Sequence, residues 1–263
     1  MDKKETPEKI MVIIAFLIMI AFIMLSYFLP AGGQNITEIM ASYPNLFTPA
    51  DYSFLMWWII YLLFTGFVIY QLGLFGHKHL VVRPEALHHT RMIFIGICAM
   101  SAVCIMAWQF DYLALSAMLV LIMLACIRFL CRYLTLEDMS GCDRVFIRLP
   151  FSILYAWLTI LTISTLAILF VSIRWKAFGI PLTVWAVATF VILAVYAVMR
   201  SQKNKDFAYC FTMIWLYIGL LVKHTAKDGM NGKYPAIIAA IIFGILILAG
   251  CAGVLLYRKR KIQ

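Results

Sequence analysis

Residues 10–29 read IMVIIAFLIMIAFIMLSYFL, twenty consecutive positions without Asp, Glu, Lys or Arg. A helix needs about 20 apolar residues to cross the hydrocarbon core of a bilayer, so this stretch already names the solvent. Seven further runs of the same kind follow, at about 53–74, 92–109, 112–130, 150–173, 177–199, 207–223 and 236–257. Two of them hold somewhat fewer charge-free residues and close on Arg128 and Lys223, whose aliphatic stems can carry the charge out to the interface. Lipid leaves a backbone only two ways to satisfy its polar groups, helices or a closed barrel. The runs are continuously apolar rather than alternating, which excludes the barrel. The sequence therefore predicts an all-α polytopic membrane helix bundle of eight transmembrane helices. Short links join them, and residues 1–263 form one integral membrane domain.

Composition agrees. The chain is 65% hydrophobic and 13% charged, with mean hydropathy +0.96, whereas soluble domains lie near ~45–50% apolar and ~25% charged. The net charge of +10 does not point to nucleic acid, because of where it sits. With the N-terminus inside, 17 of the 22 Lys and Arg residues fall in cytoplasmic segments and 5 in outer ones. That is the positive-inside pattern, and it predicts a multi-pass protein of the plasma (cytoplasmic) membrane with both termini cytoplasmic. The closing run Arg258-Lys259-Arg260-Lys261 then lies against anionic headgroups. The first run is too long for the apolar core of a signal peptide, about 7–15 residues, and is read as a mature helix. The seven cysteines all fall in spans or cytoplasmic links, where disulfides are not expected.

Candidate chemistry is sparse. The runs contain no ionisable group at mid-depth, where coupled transporters place one. The five histidines fall in links, and His77, His79, His88 and His89 crowd the first cytoplasmic link with Glu85 as the nearest carboxylate. This reads as a solvated loop, with a metal site as the alternative. Asp111 reads as an N-cap, and Thr135-x-x-Asp138 as a capping box opening a short surface helix. The link from Pro30 to Tyr52 is long enough to cover a cavity. Ala240-x-x-x-Gly244 and Ala249-x-x-x-Gly253 put small residues on the last helix. They allow close intramolecular packing, with a homodimer through Gly244 and Gly253 as the alternative.

What remains is aromatic. Tyr52, Phe54, Trp57, Trp58 and Tyr61 gather at the start of the second run. Phe54, Trp57/Trp58 and Tyr61 recur on one helical face. An interfacial belt explains such rings; so does a pocket for a flat apolar molecule, walled by rings with hydrogen-bonding edges.

The pattern Pro49-x-x-Tyr52-x-Phe54-x-x-Trp57-x-x-x-Tyr61-x-x-x-x-Gly66, ending Tyr70-Gln71, resembles the second-helix signature of the tryptophan-rich sensory protein family (TspO, the translocator or peripheral benzodiazepine receptor family). It resembles most the longer bacterial branch with about eight spans. Three later patches are similar in the same order: Trp108 to Ser116, Pro150-Phe151-Ser152 with Trp157 and Thr162, and Asp206 with Trp215 and Gly219. The resemblance implies a bundle with a pocket beneath the first outer link. It would bind tetrapyrrole-like or related apolar ligands, non-covalently and with no required cofactor. Carried onto this sequence, the ligand-binding candidates are Tyr52, Phe54, Trp57 or Trp58, and Tyr61, with Trp157 facing them. The expected partners are the lipid bilayer and a small apolar ligand, without nucleic acid. Two other functions stay open: a permease or exporter subunit for a small apolar solute, and a membrane-surface enzyme acting through Asp51, Asp111 or Asp206.

Overall fold

The computed structural model describes residues 5–28, 36–73 and 82–262. Among the described residues there is no strand, and eight helices are long and apolar enough to cross a membrane. We number them α1 (Glu5–Phe28), α2 (Met56–Gln71), α3 (Pro84–Gln109), α4 (Leu113–Leu134), α5 (Leu149–Ser172), α6 (Leu182–Asn204), α7 (Phe207–Thr225) and α8 (Pro235–Ile262). The end of the bundle where α1 starts is the base, and the opposite end is the top. His77 and His79 lie outside the described residues.

Neighbours are set by sequence order at one side and by long returns at the other. α1 packs on α3, α3 on α4, and α4 on α5; α5 then meets α7, and α8 closes against both α6 and α7. α2 leans on α5 and barely touches α1. α5 is the most buried of the eight. By contrast α1 is apolar all round and buries one stripe, Val12, Phe16 and Met19, at i, i+4, i+7 spacing, while Ile10, Ile14, Leu17 and Ile18 stay exposed. Below the middle of the bundle, Phe64, Phe67, Phe94 and Phe151 form one cluster with ring centroids 5.0–6.2 Å apart.

Several helix ends depart from the sequence reading, for local reasons. α3 begins two turns before the apolar run, at Pro84, whose missing N–H costs nothing in a first turn. It thereby takes His88, His89 and Arg91 into a helix. Asp111 is not an N-cap. It occupies the left-handed region (φ 57°) just past α3, with Asp111 N–H on Trp108 O at 3.1 Å and Tyr112 N–H on Ala107 O at 2.8 Å. That is a Schellman termination, with Asp where glycine is usual. Arg174 (φ 53°) ends α5 the same way, through Arg174 N–H on Val171 O and Trp175 N–H on Phe170 O. Thr135 opens no surface helix; its hydroxyl bonds back to Cys131 O at 2.6 Å. The capping box is Ser140 with Asp143, each side chain accepting the other's backbone N–H at 3.1 Å. It starts a turn that runs through a π-helical segment, Arg144–Arg148, into α5. α6 starts at Leu182, five residues after the apolar run begins, because Ala177 and Phe178 are left-handed and Pro181 is extended.

The last helix uses its two small-residue positions differently. A Cβ on Gly244 would lie 2.3 Å from the Tyr217 ring, so that glycine serves packing within the bundle, while Gly253 meets nothing within 4 Å. All seven cysteines are free thiols.

Candidate ligand-binding site

The site is built from the link before α2. Ala50 N–H donates to Gly219 O of α7 at 3.1 Å, and Ser53 packs where any side chain at position 219 would sit. This contact fixes a 3₁₀ turn, Asp51–Leu55, and so sets the angle at which the chain enters α2. Phe54 and Trp57 then meet Trp157 of α5, and Tyr61 joins them through Trp57. Phe54 and Trp57 each pack edge-on against Trp157, at 5.4 and 5.6 Å between centroids, and Trp57 stacks on Tyr61 at 5.6 Å and 16°. Edge-to-face and stacked pairs at these distances suit the ring quadrupoles. Trp157 is buried and its indole N–H has no hydrogen-bond partner. Phe54, Trp57 and Tyr61 are half-buried.

Four of the six expected residues thus form one cluster, and two do not. Trp58 is 57% exposed and points away, touching only the edge of Tyr61 at 6.4 Å. Between the two adjacent tryptophans, the fold turns Trp57 inwards. Tyr52 instead meets Trp215 of α7 edge-on at 5.5 Å.

The link from Pro30 to Tyr52, read as long enough to cover a cavity, lines one of about 640 Å³ with residues 44–47, but at the top between the end of α5 and the start of α6, where no site was expected. None of the six residues lines it. Ile163, Leu166 and Phe170 form one wall, Leu182 and Trp185 another, and Phe47 lies at its roof. At 100° per residue, Ile163, Leu166, Ala167 and Phe170 stand roughly 180–280° around α5 from Trp157, so the cavity and the ring cluster use opposite faces of that helix. The signal for this lining was the pair Trp175 and Trp185 flanking the α5–α6 link.

The base carries charge that the sequence reading assigned to links. Arg200 and Asp206 pair at 3.0 Å, each side chain 7% exposed. Ser152 Oγ lies 2.6 Å from both carboxylate oxygens, and Tyr209 N–H donates to Asp206 at 3.1 Å, capping α7. The Arg200 guanidinium sits between the rings of Tyr155 and Tyr209, 4.2 and 3.9 Å from their centroids. Arg91, also buried, reaches Gln71 at 3.2 Å and Glu8 at 3.3 Å, and His88 meets Glu8 at 2.8 Å. The reading that keeps all five histidines in links is corrected here: His88 and His89 belong to α3, and His224 lies buried in α7 with Nε2 3.1 Å from Leu46 O. Of the three carboxylates considered for catalysis, Asp206 is spent in this junction, Asp111 accepts the Tyr43 hydroxyl at 2.8 Å, and Asp51 is exposed in the 3₁₀ turn. Among the described residues, no three His, Cys, Asp or Glu side chains are grouped to hold a metal.

A family model described as TSPO-like protein matches residues 9–254 of the chain. No curated protein and no solved structure matches it.

Proposed function

The chain belongs to the TSPO-like protein family, and from that premise we propose that it is an integral membrane binding and sensory protein rather than an enzyme. It holds a planar apolar ligand, tetrapyrrole-like, against the rings of Trp57, Tyr61, Phe54 and Trp157. The observation that carries this reading is the stacked Trp57–Tyr61 pair, half-buried beside a buried indole N–H that has no partner. The stacked pair offers a flat face, and the free N–H offers one hydrogen bond to a heteroatom at the ligand's edge. Leaving such a donor unmade costs about 1–3 kcal/mol, which a ligand acceptor would recover. Binding then draws mainly on ring surface removed from water or lipid. Tyr52 and Trp58 belong to the surroundings of this site, Tyr52 through Trp215 and Trp58 on the lipid side. The protein sits in the plasma membrane with both termini cytoplasmic.

The test is quenching of tryptophan fluorescence by protoporphyrin in a neutral detergent. Wild type quenches saturably. Trp57→Ala, which removes a ring face of the size that contributes about 1.5–3 kcal/mol when buried, weakens binding about ten- to hundredfold. Trp157→Phe keeps the packing and loses the donor, and weakens it less. Equal titration curves for wild type and Trp57→Ala would place the ligand elsewhere.

A further inference from the structure

The cavity on the opposite face of α5 lies outside that reading and stands independently of it. We propose that it is a second binding site, for an acyl chain ending in an anionic head. Its volume of about 640 Å³ falls within the range of ligand pockets, about 300–1,000 Å³. The walls from Ile163, Leu166, Phe170, Leu182 and Trp185 are apolar. Among the described residues, Arg174 is the one charged side chain that lines the cavity, and it forms no ion pair. Asn45, Thr183, Thr189 and Tyr234 supply the neutral polar groups of the lining. One cation beside apolar walls matches an anionic head group on an apolar tail.

The roof is pre-formed. Asn45 Oδ1 accepts Phe47 N–H at 2.9 Å and Thr48 N–H at 3.0 Å, which closes residues 45–48 into a turn. Ser164 Oγ donates to Phe47 O at 3.0 Å, and His224 Nε2 lies on Leu46 O at 3.1 Å. A roof held from two helices need not be ordered when a ligand enters, which favours binding. The rim is strained. Arg174, Ala177 and Phe178 are three of the six described non-glycine residues with positive φ, at 53°, 53° and 56°. Such strain collects at ligand clamps. Here it is held by Trp185 Nε1 donating to Ala177 O at 3.3 Å and by the Trp175 ring between Phe170 (4.6 Å) and Trp185 (6.1 Å). Asp111 ends α3 in the same backbone conformation and has its carboxylate taken by Tyr43. Arg174 ends α5 with its guanidinium beside the cavity.

The experiment uses the purified full chain in a neutral detergent and dibromostearate, whose bromines quench nearby indoles. Wild type shows saturable quenching, and a Trp175→Phe/Trp185→Phe double variant loses most of the quenched amplitude. Arg174→Gln, at an exposed position, raises the apparent Kd about tenfold, the scale of one charge-assisted contact. The methyl ester of the same acid binds wild type as weakly as the acid binds Arg174→Gln. A parallel arm in nanodiscs uses phosphatidylglycerol carrying the same brominated chain. Saturation by the free acid alone identifies a soluble carboxylate as the occupant, and saturation by the phospholipid identifies bilayer lipid entering between α5 and α6. The proposal is overturned if neither probe saturates, if acid and ester bind alike, or if the double variant keeps the full amplitude. Porphyrin titration through Trp57 reads the other site, so failure of either result leaves the other standing.

Discussion

At the scale of single residues, Gly219 does the most with the least. Its carbonyl accepts Ala50 N–H, and a Cβ there would lie 2.0 Å from Ser53 Oγ and 3.3 Å from Pro49 Cβ. The 3₁₀ turn can sit on α7 only because that Cβ is missing. Gly219→Ala is expected to cost about 1–3 kcal/mol, the usual range for forcing extra atoms into a packed contact. It should lower the thermal midpoint in detergent and, by displacing the turn that aims Phe54 at Trp157, weaken porphyrin binding too. Combining it with Ser53→Ala should restore part of both; a double variant no better than the single would show that the turn is not seated by this contact. The sequence offered Gly219 as part of a family resemblance, and so too Ser152 and Asp206. It did not say that Gly219 touches the Pro49–Ser53 turn or that Ser152 lies 2.6 Å from Asp206. Those pairs are 54 or more positions apart, and only folding brings them together.

At the scale of elements, the described part of the link before α2 behaves as a fixed roof. Besides Ser164, His224 and Gly219, it is tied through Tyr43 to Asp111 in the α3–α4 turn, at 2.8 Å. The Asp111 carboxylate, by accepting the hydroxyl hydrogen, raises the Tyr43 phenol above its ordinary value, and burial adds to this. The sign follows from linkage. A pKa raised in the folded state means the contribution is complete below the ordinary phenol range and is lost as pH climbs through the raised value. Comparing wild type with Tyr43→Phe, the difference in thermal midpoint should be constant below about pH 9 and shrink above about pH 10. A difference independent of pH would remove Asp111 from the account. Helix starts carried recognised signals at Pro84 and Ser140, which the sequence reading passed over for residue 92 and Thr135. Helix ends were less legible: α3, α5 and α6 each terminate at a left-handed non-glycine, Asp111, Arg174 and Lys205. The glycine that ordinarily marks such an end is missing from all three.

At the scale of the whole molecule, two ends of the bundle differ in kind. The base holds the buried pair Arg200 with Asp206, and the buried Arg91 meets the partly exposed Glu8. Breaking the buried Arg200–Asp206 pair on one side costs about 3–5 kcal/mol, so this contact resists parting of α6 and α7. The top holds the roofed cavity. The Lys and Arg count, 17 against 5, predicts that the base faces the cytoplasm. A green fluorescent protein fused after the last residue should fluoresce, and an alkaline phosphatase fused there should be inactive. The same phosphatase inserted after Lys176 should be active, and the reverse pair of results would invert the molecule.

The sequence by itself determined the solvent, the helical class and the number of spans, because hydropathy is a sum over neighbours in the chain and needs no tertiary partner. It also carried the family, through residue types kept at fixed spacing. It could not determine which side of each helix faces inwards. Lipid and a packed protein interior are both apolar, so a membrane helix lacks the polar face that betrays the outside of a soluble one. Adjacent indoles such as Trp57 and Trp58 are therefore equivalent until packing turns one in and leaves the other 57% exposed. The Arg200–Asp206 pair, the cavity beside Arg174, the meeting of α2 with α5 and the seating of the 3₁₀ turn on α7 were decided by the tertiary structure alone. Each depends on contacts between segments that the chain separates.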